Sequence, residues 1–380
     1  MKLDIILRNG TLFTGDSQPL FRADLGIAGR YIESIGDLSN EHAPIEIDCS
    51  DFVITPGLID FHIHLFDEGS DHGTRPDVVL LPSGVTSAVE GGTCGVCTYR
   101  SFHKFIIPNT FASIKSYLNV SSTGILTYMF HENPSPQYYE EEKILDMVAQ
   151  YPEIIALKLR LSLDLDPHMT AEPLERSLRM AEKAKVPLVV HVTNPPIPSE
   201  DILSLLRPGD VFCHCFHGKG NTLLNERGTL KEAAWAARKR GVIFDACNGQ
   251  ANYSHQVAQA AIAEGFYPDV ISTDMSRIPH TIYKEPAISL PHILSKYLAL
   301  GMELPDVLHR ATTAPASLAK WTDRGKLQPH MLADISVFQL VNRPVQFYDF
   351  ANNVLSGEQL LVPQVTIKEG TIYYRQLTTF

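Results

Sequence analysis

The sequence predicts an α/β protein: a (β/α)8 barrel carrying a small β-domain built from both chain ends. Three observations predict it. From Pro56 to about residue 275, apolar runs of strand length alternate with amphipathic stretches eight times over, the pattern of repeated strand–helix units around a parallel sheet. The first fifty-odd residues and those after about 330 read instead as short strands without helices. The residues with most chemistry to offer stand at the C-terminal ends of the expected strands, where barrel enzymes assemble their sites.

Taken in order, LDIILRNGTLF with Asn9-Gly10 as a turn signal, DLGIAGRYIESIG and APIEIDCSDFVI supply the opening strands. Barrel strands are expected at about 58–64, 84–91, 123–130, 154–162, 187–193, 210–215, 242–247 and 270–275. Helices fit between them at TAEPLERSLRMAEKAK, SEDILSLLR and TLKEAAWAARKR. Ser199 ahead of Glu200-Asp201 is a start signal, and Gly241 after a basic last turn is a stop. ADISVFQL and QVTIKEGTIYYRQL, with a turn at Glu369-Gly370, return to strands. The chain is therefore read as residues 1–55 with 328–380 in one β-domain and 56–327 in the barrel.

Composition fits this and excludes other classes. The 380 residues are 44% apolar and 20% charged, enough for a sizeable folded core. A formal charge of −11, with no run of Lys or Arg, leaves no electrostatic footprint for nucleic acid or an anionic membrane. Asp4 and Arg8 interrupt the first apolar stretch, and no segment approaches the ~18 apolar residues of a membrane span. Six cysteines are sparse for this length and suit reduced thiols. A cytoplasmic protein is expected, and a homo-oligomeric assembly is left open.

Side chains alternate along a strand, so every second residue of a barrel strand faces the lumen. In the first strand Ile59, Phe61 and Ile63 take one face, and Asp60, His62 and His64 the other. In the fourth, Ile155, Leu157, Leu159 and Leu161 point outward while Ala156, Lys158, Arg160 and Ser162 point inward. His191 shares a face with Val189 and Thr193. His214 opposes Cys213 and Cys215, which are expected to face the helices as small apolar residues. Asp274 shares the lumen with Ser272.

Each of these residues has a plain structural alternative. A strand histidine such as His191 or His214 is usually a satisfied core histidine, Lys158 alone could be an ion-pair partner, and Asp274 alone a capping residue. Together, all of the alternatives would have to hold while obeying one parity and one strand-end rule, because buried charge is costly unless paired or ligating. A joint chemical role is the better reading. Imidazole nitrogen and carboxylate oxygen suit Zn²⁺, and two metals side by side need an anionic bridge. A lysine that has reacted with CO₂ is a carbamate, a two-oxygen ligand able to supply that bridge. Water held by such ions becomes nucleophilic near neutral pH.

PGLIDFHIH (56–64), the lysine in IALKLRLS, VVHV, FCHCFHG, ISTDMS and GKLQPHMLADISVF resemble the amidohydrolase superfamily of metal-dependent hydrolases over nearly the whole chain. The resemblance implies a distorted barrel with a β-sandwich made from both termini. It also implies two divalent ions, expected to be Zn²⁺: His62, His64 and Asp274 holding the first, His191 and His214 the second, and carbamylated Lys158 bridging them. Asp274 would carry the catalytic proton. Within the superfamily, GGTCG, KLR, HVTNPP and HCFHGK look like the dihydroorotase-like deacetylases, which implies removal of an acetyl group from a small α-substituted carboxylate. Glu90-Gly91-Gly92-Thr93 and His217 depart from that subgroup's pattern, and bear on substrate rather than on metal.

The main alternative is a cyclic-amide hydrolase of the dihydroorotase or hydantoinase kind. A mononuclear deaminase fits less well, since His217 stands where such enzymes carry a glutamate. From another class, the alternative is a catalytically inactive binding scaffold. For an anionic small-molecule substrate, Arg160 is the candidate anchor, with Arg100, Lys104 and Arg277 as loop alternatives, and an ion pair with Asp60 or Glu90 is its structural alternative. His217 and Cys94 are further candidate substrate contacts. His217 reads equally well as capping its loop with Gly218 and Gly220, and Cys94 with Cys97 as loop packing.

Overall fold

A computed structural model describes residues 2–15, 19–249, 251–277 and 289–376. Five strands open the chain: β1 (Ile5–Leu12), β2 (Phe21–Ala28), β3 (Tyr31–Gly36), β4 (Ile45–Asp48) and β5 (Val53–Pro56). Seven follow in parallel: β6 (Leu58–Ile63), β7 (Val85–Glu90), β8 (Ser113–Asn119), β9 (Ile154–Arg160), β10 (Leu188–His191), β11 (Val211–Cys213) and β12 (Ile243–Asp245). Three close the sequence: β13 (Ile335–Tyr348), β14 (Val354–Lys368) and β15 (Thr371–Arg375).

β6 to β12 pair in sequence order. The eighth position is filled by 270–275, which has no continuous ladder: Val270 bridges to Asp245 on one side and Met275 to Ile63 on the other. Those two bridges close the barrel. The first and last strands of the chain share a second sheet, ordered β15-β14-β13-β5-β1-β2-β3 with β4 on β1. Its apolar residues, including Leu7, Leu25, Ile27, Ile54, Ile335, Val337, Val365 and Ile367, form their own core.

Three local signals resolve differently from the sequence expectation. Asn9-Gly10 is no turn: β1 runs through it, with Asn9 at φ 59° and a register shift between Leu7 and Gly10. Asn tolerates the left-handed region, so the dipeptide serves a β-bulge. The third barrel strand is Ser113–Asn119, not 123–130. Ile114 and Leu118 of SIKSYLN join the helix-facing core and Tyr117 the lumen floor, whereas the apolar GILTYMF lies in the loop beyond it. The helices form as expected at Glu172–Ala184, Ser199–Leu205 and Glu232–Arg240, the last ended by Gly241 at φ 97°. Ser199 does not cap its helix; its hydroxyl donates to Thr222 O at 2.8 Å.

The barrel lumen has an apolar floor. Phe61, Val89, Tyr117, Ala156, Val189, Val211 and Val270 meet there, with Ala319 sealing from below. The polar residues sit above this plug, at the C-terminal ends of the strands.

Candidate active site

Above the floor, His62, His64, Lys158, His191, His214 and Asp274 line one cavity of about 400 Å³. All are buried except Asp274, which is partly exposed. Asp274 Oδ1 lies 3.2 Å from His64 Nε2 and 3.7 Å from His62 Nε2. Lys158 Nζ stands 3.3 Å from the same His62 Nε2. The His191 and His214 rings pack edge to face with centroids 4.4 Å apart.

The strands reach this arrangement by different routes. On β9 and β10 the alternation is as expected: Leu157, Leu159, Leu188 and Val190 join the helix-facing core, while Lys158, Arg160 and His191 line the cavity. On β6 it is broken. Phe61 belongs to the lumen floor rather than to the face expected of it, because the pairing with β7 shifts register between Asp60 and Ile63. That irregularity lets Phe61 and His62 both reach the lumen. β11 corrects another expectation: Cys213, not His214, is the in-strand lumen residue, and Cys215 alone joins the helix-facing core. His214 reaches the cavity because the strand ends before it and its backbone turns left-handed at φ 62°. Asp274 is left-handed too, at φ 52°, and such strain persists only where the surroundings over-determine it.

The surroundings do so here. Asp60 accepts from Thr273 N at 3.1 Å and from Thr273 Oγ1 at 2.6 Å, fixing the turn that presents Asp274. Burial pushes the Asp60 carboxyl up to about 7. Asn252 Nδ2 donates to Asp274 Oδ2 at 2.9 Å. Gly91 leaves room for the histidines: a Cβ there would lie 2.6 Å from His62 Nε2.

Whether these side chains suit metal ions is decided by their tautomers. His64 Nδ1 donates to Thr93 Oγ1 at 2.7 Å, and the Thr93 hydroxyl donates onward to Glu90. His214 Nδ1 donates to Cys247 O at 2.7 Å. In both rings this leaves Nε2 to the cavity, the hydrogen-bonding pattern that orients metal-ligating imidazoles. The donor atoms of His62, His64 and Asp274 lie within 4.8 Å of one another. Burial, with the charge of Lys158, lowers His62 to about 4, and burial holds His191 well below the ordinary range. Both are neutral imidazoles at pH 7, the form that binds metal. Burial opposes charge on His64, but Asp274 and Glu90 outweigh it and raise it to about 9. A proton is thus held between His64 and Asp274, where a cation would compete for the same lone pairs. The residues fit divalent ions.

Residues 53–372 match the family model described as Amidohydrolase family. The chain belongs to the amidohydrolase family. It is a hydrolase of a metal-dependent family, with the fold that membership implies. A Brucella anthropi protein named as a deacetylase is 31% identical over 343 residues, 88% of this chain and 84% of that one. Among solved structures, a dihydroorotase superposes on this amidohydrolase with a TM-score of 0.89 at 28% identity, covering 98% of each chain. An adenine deaminase does so with a TM-score of 0.88 at 25% identity, covering 98% and 100%. No helix among the described residues is long and apolar enough to cross a membrane.

The remaining candidates separate. Arg160 lines the cavity, and its partner is neither Asp60 nor Glu90 but Glu132, to which Nη1 donates at 2.7 Å. Glu90 is taken by the Gly92 and Thr93 amides. Cys94 is buried in the helix-facing core and His217 is buried just past His214, and neither is among the cavity-lining residues. Cys97 is exposed. Arg277 pairs with Asp67 at 2.6 Å, and it, Arg100 and Lys104 stand outside the cavity lining. Sequence reasoning missed His72, Tyr128, His131, Lys219 and Asn252, which complete the wall. They come from loops, where strand parity has no purchase. The His72 and Tyr128 rings stack 3.8 Å apart.

Proposed function

We propose that this amidohydrolase removes the acetyl group from the amide or ester of a small α-substituted carboxylate. One observation carries the reading: six candidate ligands and the Arg160 guanidinium open into the same cavity of about 400 Å³, a size suited to a small ligand. The deacetylase from Brucella anthropi supports it.

His62, His64 and Asp274 would hold one Zn²⁺, His191 and His214 the other, with Lys158 bridging as its carbamate. When bound, the ions acidify water and polarise the scissile carbonyl. Asp274 takes the proton from the attacking water and delivers it to the leaving group. Burial opposes its ionisation, yet the His64 hydrogen bond and the neighbouring imidazoles keep the carboxyl well below its usual range, so it is ionised and able to hold a cation. Asn252 donates to Oδ2 while Oδ1 faces His64 at 3.2 Å, so both carboxylate oxygens are positioned. Arg160, with one donor on Glu132, offers its remaining N–H groups to a substrate carboxylate. Lys219, also at the wall, is paired with both oxygens of Asp164 at 2.6 and 2.7 Å. The boundaries at 55 and 328 are proposed as domain limits, supported by a sheet that draws its strands from both ends. Six free cysteines support a cytoplasmic setting.

The dihydroorotase likeness keeps ring opening as the second reading. Both are tested by offering the zinc-loaded protein N- and O-acetylated amino and hydroxy acids beside dihydroorotate and hydantoins. Turnover of the acetylated acids is expected; turnover of the cyclic amides alone would overturn the deacetylase reading. A chain that binds well under one metal, even with Zn²⁺ and bicarbonate added, would favour the binding scaffold.

A further inference from the structure

Directly beneath these ligands the lumen holds a second set of donors that the proposed reaction does not use. His62 Nδ1, Cys213 Sγ, a carboxylate oxygen of Asp245 and Cys247 Sγ lie within 4.8 Å of one another, all buried. Cys213 Sγ is 3.4 Å from His62 Nδ1, and Asp245 Oδ2 is 4.0 Å from it. A tetrahedral zinc with bonds of about 2.0–2.3 Å has donor-to-donor edges of roughly 3.3–3.8 Å, so these separations need only a small contraction.

Asp245 supplies the independent sign. Its Oδ1 accepts from Ser272 Oγ at 2.7 Å and from Cys247 N at 3.0 Å, which fixes the carboxylate. Its Oδ2, on the cluster side, is fully buried with no hydrogen-bond partner among the described residues. A buried carboxylate oxygen left without a donor is costly unless something fills the place. The two cysteines arrive from opposite local geometries, Cys213 as the last residue of β11 and Cys247 two residues past β12 at φ 36°. Backbone strain thus accompanies the turn that brings a second thiol inward.

We propose that His62 Nδ1, Cys213, Asp245 and Cys247 form a structural cation site for a thiophilic divalent ion such as Zn²⁺, below and distinct from the pair that the six cavity ligands would hold. Two thiolates, an imidazole and a carboxylate form a closed four-ligand set, with no open position for substrate. The two nitrogens of His62 point to opposite sides of its ring, so His62 serves both levels as an imidazolate, its last N–H proton passing to solvent when the second ion binds. Lys158 Nζ, 3.9 Å from Cys213 Sγ, opposes a cation here as an ammonium and not as a carbamate; to that extent the inference rests on the reading above.

The test is metal analysis and cobalt spectroscopy of the full chain in a Cys97→Ser background, which removes the exposed thiol. Expected are three zinc ions per chain, falling to two in Cys213→Ser and in Cys247→Ser but not in Cys215→Ser. With Co²⁺ a near-ultraviolet thiolate-to-cobalt charge-transfer band is expected and is lost in the same two variants. Lys158→Met, which destroys the upper bridge and removes the opposing ammonium, keeps that band, so failure of the hydrolase reading is distinguishable from failure of this one. Should a serine variant not fold, the band in the wild-type thiol pair still decides the matter. Two zinc ions with no near-ultraviolet band, a band indifferent to both cysteines, or a Cys213–Cys247 disulfide in the isolated protein would each overturn the proposal.

Discussion

β9 and β10 form a regular pair, in unbroken register from Leu157 against Leu188 to Arg160 against His191. β6, β11 and the eighth position are irregular: a register shift, a strand of only three residues ended by a left-handed histidine, and a segment held by isolated bridges. Both groups deliver side chains to the same cavity, but not in the same way. A regular strand sets successive lumen residues roughly 6–7 Å apart, in separate layers. Lys158 and Arg160 therefore serve two levels, one beside the histidines and one at the wall. Donors for one ion must instead converge from several strands to within a few ångström, and unbroken alternation rarely aims them so. The bulge in β6 and the turns at His214 and Asp274 perform that convergence.

Removing the bridge should break the site most severely. Lys158→Ala is expected to lower kcat/KM by roughly 10³-fold or more, about 4 kcal/mol of transition-state stabilisation, and to lose metal, read by steady-state kinetics with metal analysis. Retention of metal and rate would sink the carbamate assignment. Gly91→Ala probes the irregular side, since its methyl would stand 2.6 Å from His62 Nε2. A displaced imidazole should cost roughly 10²-fold in kcat. The control is Gly209→Ala, just ahead of β11 with nothing within 4 Å of the added methyl. Its φ of 88° makes that change a strain on stability, and turnover of the folded variant should be unaltered.

His217 sharpens the comparison through stability rather than rate. Burial, aided by the charge of His214, lowers it to about 3. The unfolded chain takes up a proton near 6.5 that the folded chain refuses, so stability is present above 6.5 and falls as pH drops below it. Between about pH 7 and 5 the loss should approach about 2 kcal/mol, and His217→Leu should remove that part of the slope in urea unfolding. Identical slopes would exclude a buried neutral His217. The smallest effect belongs to the regular strand: Arg160→Met should raise KM for anionic acetylated substrates roughly tenfold, about 1.4 kcal/mol, with kcat nearly unchanged. An unaltered KM would remove Arg160 as the carboxylate anchor.

Much of this is legible in the amino-acid sequence. Eight alternations point to the barrel, and PGLIDFHIH, the lysine of IALKLRLS and the isolated strand-end histidines point to the residues that line the cavity. What misleads is strict alternation. It puts Phe61 and Cys213 on the wrong faces, because a register shift and a left-handed residue leave no hydrophobic signature in the chain. It places the third strand on GILTYMF, because an apolar loop covering a site has the composition of a strand. Glu132 as the partner of Arg160, and the wall formed by His72, Tyr128, His131 and Lys219, depend on loops whose course no periodicity fixes.

By itself the sequence determined which side chains could do chemistry and on which elements they ride, because hydrophobic periodicity and strand-end position are local properties of the chain. The tertiary structure decided which of them converge. It set the Nε2 atoms of His62 and His64 against Asp274, turned His64 Nδ1 to Thr93 and His214 Nδ1 to a backbone carbonyl, and put Cys213 and Cys247 beside Asp245 under the same ring. Those distances follow from strand register and from backbone strain borne by the surrounding packing, and both are sums over contacts made by residues far apart in the chain.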